Sequence, residues 1–253
     1  MYRNEETTIS YLYLQEVIKH LDEPLCLMGG WAVYFLVNEN FRKETKNEYL
    51  GSRDVDLGFN KPETANQAIT KLIELGFKRI SFRYFKEIHA ETMKELTTEE
   101  AKKTPIYNIF PMYVDLIMSI TDASMKTKLG FMPLDEPLLK LAFDGRQKEV
   151  IEFGRKVLIP TPEVMIAMKI KSIKGRDKEH KRIKDLCDLT ALCLYSGMEI
   201  KEIREKVHKL IVISLIQENL KDLNEKDFER VSSILNLSTA IISGYIETLK
   251  KEY

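Results

Sequence analysis

The stretch that decides the fold is "CLMGGWAVYFLVNENFRKETKNEYLGSRDVDLGFN", Cys26–Asn60. It begins with four apolar residues suited to a short buried strand, which runs into the adjacent pair Gly29-Gly30. "WAVYFLVNE" then reads as an apolar helix. Some two dozen residues after the glycines come Asp54 and Asp56, one residue apart on the strand-like "DVDLGF". Strand side chains alternate, so the two acids are expected on one face, roughly 6.5–7 Å apart, with Val55 and Leu57 on the other. Two like charges on one face repel, and a cation relieves the repulsion. Magnesium suits such a pair, because it takes one or two carboxylates and completes its shell with water and substrate phosphates.

The same pattern returns in "MYVDLIMSI", where Val114 and Leu116 point one way and Asp115 the other. If this strand lies beside the first, three carboxylates converge and suit metal-assisted displacement at a phosphoryl group. The glycine pair complements them. A glycine turn entering a helix exposes backbone N–H groups, and a helix N-terminus favours an anion. Ser52 and Arg53 precede the first acid and add a hydroxyl and a positive charge. Taken singly, a D-x-D or a G-G is a weak signal. Their joint order is the stronger one.

Around this core the pattern is mixed. "TTISYLYLQEVIKHL" carries one apolar helical face. "KPETANQAITKLIELGF" opens with Pro62 and closes with Gly76, as a helix does. "KRISFRYFKEI" alternates as a strand. "AETMKELTTEEAKKT" fits a helix or an inserted loop, and "KEVIEFGRKVLIP" a strand pair around Gly154. From "TPEVMIAMKIKSIKGR" onward the pattern is helical. The expected division is therefore a mixed α/β domain over 1–160 and a helical region over 161–253.

Composition narrows the class. The 253 residues are 44% hydrophobic, and 39 Lys and Arg balance 39 Asp and Glu. A neutral total argues against nonspecific coating of nucleic acid. Three cysteines without C-x-x-C and four scattered histidines give neither a disulfide framework nor a zinc site. The N-terminus lacks a signal-peptide apolar region, and the longest apolar stretch, 25–37, is too short to span a bilayer. A soluble cytoplasmic protein with no membrane partner is expected. The P-loop, G-x-G-x-x-G, G-x-S-x-G and kinase strings are absent.

The order "MGGWAV … SRDVDLGF … YVDLIMS" resembles the nucleotidyltransferase superfamily of the DNA polymerase β type. Within it, the chain looks closest to AbiEii-like and related stand-alone prokaryotic nucleotidyltransferases, which include toxins of toxin–antitoxin pairs. The resemblance spans about two-thirds of the chain and implies an α+β fold. A nucleotidyltransferase-type mixed β-sheet would be flanked by helices and followed by a C-terminal helical region. The family's glycine pair falls on Gly29 and Gly30, its metal acids on Asp54 and Asp56, and its third acid on Asp115. Ser52 and Arg53 match the small hydroxyl and basic residues that often precede the first acid. "PTPEVMIAMKIKSIKGRDKEHKRIKDLCDLTALC" resembles the segment with a lysine, an arginine and a Lys-Asp-x-x-Asp-Leu run. That places Lys169 and Arg176 toward the triphosphate, with Lys171 or Lys174 as substitutes for the lysine. Asp185 and Asp188, beside Lys184, would be structural or orient a basic side chain.

The implied activity moves NMP from an NTP to a hydroxyl acceptor with Mg²⁺, or Mn²⁺ in its place. The acceptor is a tRNA 3′ end, a protein or a small molecule, and an antitoxin is the implied partner. One departure is the spacing between the glycines and the first acid, longer here by "NENFRKETKNEYL", expected as a loop after the helix. Two other classes stand beside this one. A degenerate member would bind nucleotide or partner without turnover, marked by Asp115 turned away from the other acids. An interaction protein would act through 211–253, marked by a large exposed apolar patch. Trp31 either borders the nucleotide or packs in the core, the latter being the commoner fate of a lone tryptophan.

Overall fold

The structure, a computed structural model, describes residues 3–252 and is α+β. In chain order the elements are α1 (Asn4–His20), β1 (Leu25–Met28), α2 (Gly29–Thr45), β2 (Val55–Phe59), α3 (Pro62–Glu74), β3 (Lys78–Ile80) and β4 (Arg83–His89). There follow α4 (Thr98–Lys103), β5 (Ile109–Met118), α5 (Ala123–Leu129), β6 (Leu134–Asp135), α6 (Leu139–Phe143), β7 (Gln147–Glu152) and β8 (Arg155–Pro160). The remainder is helical: α7 (Pro162–Ile173), α8 (Glu179–Tyr195), α9 (Ile200–His208), α10 (Ile213–Leu220), α11 (Glu225–Leu235) and α12 (Thr239–Lys250). No helix among the described residues is long and apolar enough to cross a membrane.

Two compact units form. Among the described residues the first comprises 3–32 and Leu50–Pro160, and the second comprises Val33–Tyr49 and 161–252. The first holds a mixed sheet in the order β3-β4-β5-β2-β1-β8-β7, with β6 added beside β5. Strands β2 and β5 run parallel in the register Val55↔Val114, Asp56↔Asp115, Leu57↔Leu116. Alternation then sorts the faces. Tyr84, Val114 and Val55 form one row, and Leu27, Leu57 and Leu116 the next, all almost wholly buried. The intervening row is Arg83, Asp115, Asp56 and Met28. Burial of the apolar rows is the main stabilising term for this sheet.

Two local expectations change. "KRISFRYFKEI" is a hairpin, not a single strand: Ile80 pairs with Arg83 across the two-residue turn Ser81-Phe82, and Ser81 takes φ 57°. "NENFRKETKNEYL" is only partly loop, because α2 continues through Thr45. It ends at Lys46, whose φ of 63° and N–H to the Arg42 carbonyl make a left-handed stop. The returning segment is tied down where Tyr49 N–H donates to the Asn38 side chain at 2.8 Å.

In the second unit α7 is buried almost all round, from Pro162 to Ile170 and again at Ile173, as a helix central to a bundle must be. Helices α8, α9 and α10 pack on it. The segment 33–49, placed by sequence with the α/β domain, belongs to this unit. Phe41 meets the Tyr195 ring with centroids 5.1 Å apart, and the Asn40 amide donates to the Tyr195 carbonyl at 2.9 Å.

Candidate active site on the sheet

The site is built by the register of β4, β5 and β2. Directly opposed residues share a face, so Arg83, Asp115 and Asp56 stand side by side. Asp54 lies just ahead of β2, in a bend rather than on the strand as expected. Its carboxylate still approaches the row, with Oδ2 3.9 Å from Arg83 Nη2. Asp54 and Asp56 are half-buried, and Asp115 is 5% exposed.

Arg83 dominates the electrostatics. Its Nε donates to Asp115 Oδ1 at 2.8 Å and its Nη2 to Asp115 Oδ2 at 2.5 Å, a fork-to-fork pair. The guanidinium carbon lies 4.2 Å from the centroid of the Tyr113 ring. Burial works against the charge, but the Asp115 carboxylate outweighs it and raises the arginine's pKa. A cation thus stands among the acids, as their mutual repulsion requires, and the chain itself supplies it.

Gly29 explains the glycine turn. It opens α2 with φ 62°, and a Cβ there would overlap the Asp56 carboxylate, lying within 2.7 Å of Cγ. Only glycine brings backbone this close to Asp56 while holding that φ. Gly29→Ala should therefore turn the Asp56 carboxylate out of its place and cost about 1–3 kcal/mol in backbone and packing strain. Thermal melts check this, and a native melting temperature would refute it.

The other expected residues fall as follows. Gly30 is buried in the first turn of α2, and Ser52 is buried two residues before Asp54. Arg53 pairs with Glu6 of α1 at 3.5 Å and lies over the Phe110 ring. Trp31 is buried and donates from Nε1 to the Ser10 hydroxyl at 3.0 Å, which makes it a packing residue. Lys169 belongs to the second unit, where it is 7% exposed. Its ammonium donates to Asp185 at 2.6 Å and Asp188 at 2.7 Å. Arg176 Nε donates to Asp185 at 2.6 Å. Of the substitute lysines, Lys174 is exposed and paired with Glu218, and Lys171 is half-buried.

Magnesium takes one or two carboxylates and keeps water and phosphate for the rest of its shell, and Asp54 with Asp56 supply that donor set. Asp115 has both oxygens on Arg83. Among the described residues no three His, Cys, Asp or Glu side chains are arranged to hold a metal ion.

No family model and no curated protein matches the chain. Solved structures do. An antigenic nucleotidyltransferase-like protein from Paracoccidioides brasiliensis overlaps at a TM-score of 0.42 and 15% identity, covering 94% of this chain and 95% of that one. The solution structure of the antibiotic-resistance factor ANT(2'')-Ia overlaps at 0.42 and 16%, covering 81% and 92%. The crystal structure of ANT(2'')-Ia in complex with adenylyl-2''-tobramycin overlaps at 0.43 and 14%, covering 80% and 96%.

Arg83 is the site residue that sequence reading misses. Its signal was the alternation of "RYFKEIH", which puts Arg83, Phe85 and Glu87 on one face of β4. Knowing that this face joins Asp115 needs the pairing of β4 with β5, which is long-range. Tyr113 was available in the same way, two residues before Asp115 on the same face.

Proposed function

We propose that the chain is a divalent-metal-dependent nucleotidyltransferase that moves NMP from an NTP to a hydroxyl acceptor. The observation that carries this is the row Asp56–Asp115 on neighbouring strands, with Asp54 at its edge and Gly29 against Asp56. Asp54 and Asp56 would hold Mg²⁺ or Mn²⁺, and Asp115 would join them as the third carboxylate. The ion, when bound, supplies charge for the α-phosphate and the leaving pyrophosphate. Gly29 and Gly30 let phosphate approach the start of α2. Ser52 offers a hydroxyl beside the first acid, and Arg53 a positive charge shared with Glu6. Asp115, whose carboxylate pairs with Arg83, would accept the acceptor's proton once that pair opens. For Lys169, proposed from the resemblance as a phosphate contact, the two carboxylates on its ammonium favour a structural role.

A binding protein without turnover is favoured less, because Asp115 stands beside Asp56 rather than turned away. An interaction protein acting through its C-terminal helices is favoured less too. In 211–252 the exposed large apolar side chains are Val212 and Ile241, which are separate in sequence and make no broad stripe. The AbiEii-like branch, a toxin role, an antitoxin partner, a tRNA, protein or small-molecule acceptor and a cytoplasmic location rest on the sequence.

The test is to incubate the protein with Mg²⁺, each of four α-labelled NTPs, and RNA and protein pooled from the host. Label should move into one pool and cease on chelation. No transfer, together with nucleotide binding that is indifferent to chelator, would favour the binding protein.

A further inference from the structure

We propose that Arg83 is a built-in counter-cation that competes with the divalent ion for Asp115 and must leave that carboxylate before the metal site is complete. This rests on the metal-dependent reading of the site given above. The pair uses both Asp115 oxygens, at 2.8 and 2.5 Å, and the same guanidinium reaches toward Asp54 at 3.9 Å. It therefore sits between two of the three carboxylates that would bind a cation. Asp115 is nearly buried, and a buried carboxylate without a partner is strongly destabilising. In the free protein Arg83 is that partner, held in place by register with Asp115 and by the Tyr113 ring.

A metal ion on Asp115 would stand against the guanidinium and be repelled by its positive charge, so the two compete for the carboxylate. An ion that takes Asp115 along with Asp54 and Asp56 must bear the cost of opening the pair, which weakens its apparent affinity for the free protein. A bound triphosphate changes the balance, because its negative charge gives the displaced guanidinium a new partner of the kind its fork fits. The consequence is ordered assembly. The ion binds poorly alone and well with nucleotide, and nucleotide and metal promote each other's binding by the same factor. Arg83 is a positioning residue in this account, acting through Asp115.

The experiment is Mn²⁺ titration followed by electron paramagnetic resonance, with and without a non-hydrolysable NTP analogue, on the native chain, Arg83→Gln and Arg83→Lys. In the native chain Mn²⁺ should bind weakly alone and at least about tenfold more tightly with nucleotide. Arg83→Gln should bind Mn²⁺ alone at least about tenfold more tightly than the native chain, with most of the nucleotide enhancement gone. Arg83→Lys, which keeps the charge but not the fork, should fall between. Thermal melts accompany each variant. If Arg83→Gln does not fold, Arg83→Lys alone decides by the same comparison. Mn²⁺ affinity in the variants equal to or below native would overturn the proposal, as would the absence of Mn²⁺ binding in all three chains. The expected shifts with no transfer to any acceptor would keep the exchange at Asp115 and remove the transferase reading, so the two fail separately.

Discussion

Asp56→Asn should abolish nucleotidyl transfer, lowering the rate by about 10³-fold or more, while leaving the fold in place. Substituting a partner one shell out from a metal typically costs 10–100-fold, and Asp56 would be a direct ligand. Asparagine keeps the volume, so the close contact with Gly29 survives. It removes one of two carboxylates that are Cα neighbours across β2 and β5, which lessens repulsion in the free protein. The melting temperature is therefore expected to stay close to native. Few structural roles behave this way, because loss of a supporting residue lowers activity and stability together. The measurement is single-turnover label transfer beside a thermal melt. Transfer within about tenfold of native would remove Asp56 from the reaction, since a direct ligand costs more than an outer-shell partner.

The acids were legible in the sequence because strands with one buried face alternate, and "DVDLGF" and "MYVDLIMSI" interrupt apolar runs with a charge at the same phase. What sequence cannot supply is register. A one-residue slip between β2 and β5 would put Asp115 on the opposite face from Asp56, and nothing local forbids it. Arg83 was hidden for the same reason. Arg79 and Arg83 sit in the same alternating string, and only the turn at Ser81-Phe82 and the pairing with β5 select the second. The placement of 33–49 was hidden differently. Apolar residues along α2 indicate burial, but the choice of neighbours depends on Tyr49, Tyr195 and Asp188, far apart in the chain. Lys169 shows the same limit. Its helix is evidently buried, yet whether its charge serves a ligand or a carboxylate depends on how α7 meets α8.

Asp188→Ala should be the most destabilising single change in the second unit, costing about 3–5 kcal/mol. Asp188 has no exposed surface and accepts three hydrogen bonds, from Lys169 Nζ at 2.7 Å, Lys184 Nζ at 2.5 Å and the Tyr49 hydroxyl at 2.7 Å. Alanine would leave two buried ammonium groups with one carboxylate, Asp185, which also serves Arg176. Lys184 would lose its Asp188 partner and keep the Tyr49 ring, 5.4 Å away. For a chain of this size the loss corresponds to a melting temperature lower by about 6–20 °C. Lys184→Met should cost less than half as much, because Asp188 would retain Lys169 and Tyr49 and methionine would fill the space. The pH response follows from Asp185 and Lys169. Burial opposes ionisation of Asp185, but Lys169 and Arg176 outweigh it and hold its pKa below the ordinary carboxylate value. Its contribution is complete above about pH 4, the unfolded value, and is lost as pH falls through the lower folded one. For Lys169 burial also opposes the charge, and Asp185 and Asp188 outweigh it and raise its pKa. Its contribution is complete below about pH 10 and is lost only as pH rises through the higher folded value. Urea melts across this range should show a plateau between those limits and a fall on the acid side, part of which Asp185→Asn removes. A stability for Asp188→Ala within about 1 kcal/mol of native would mean that water reaches the ammonium groups, and that the cluster is not the anchor of α7 and α8.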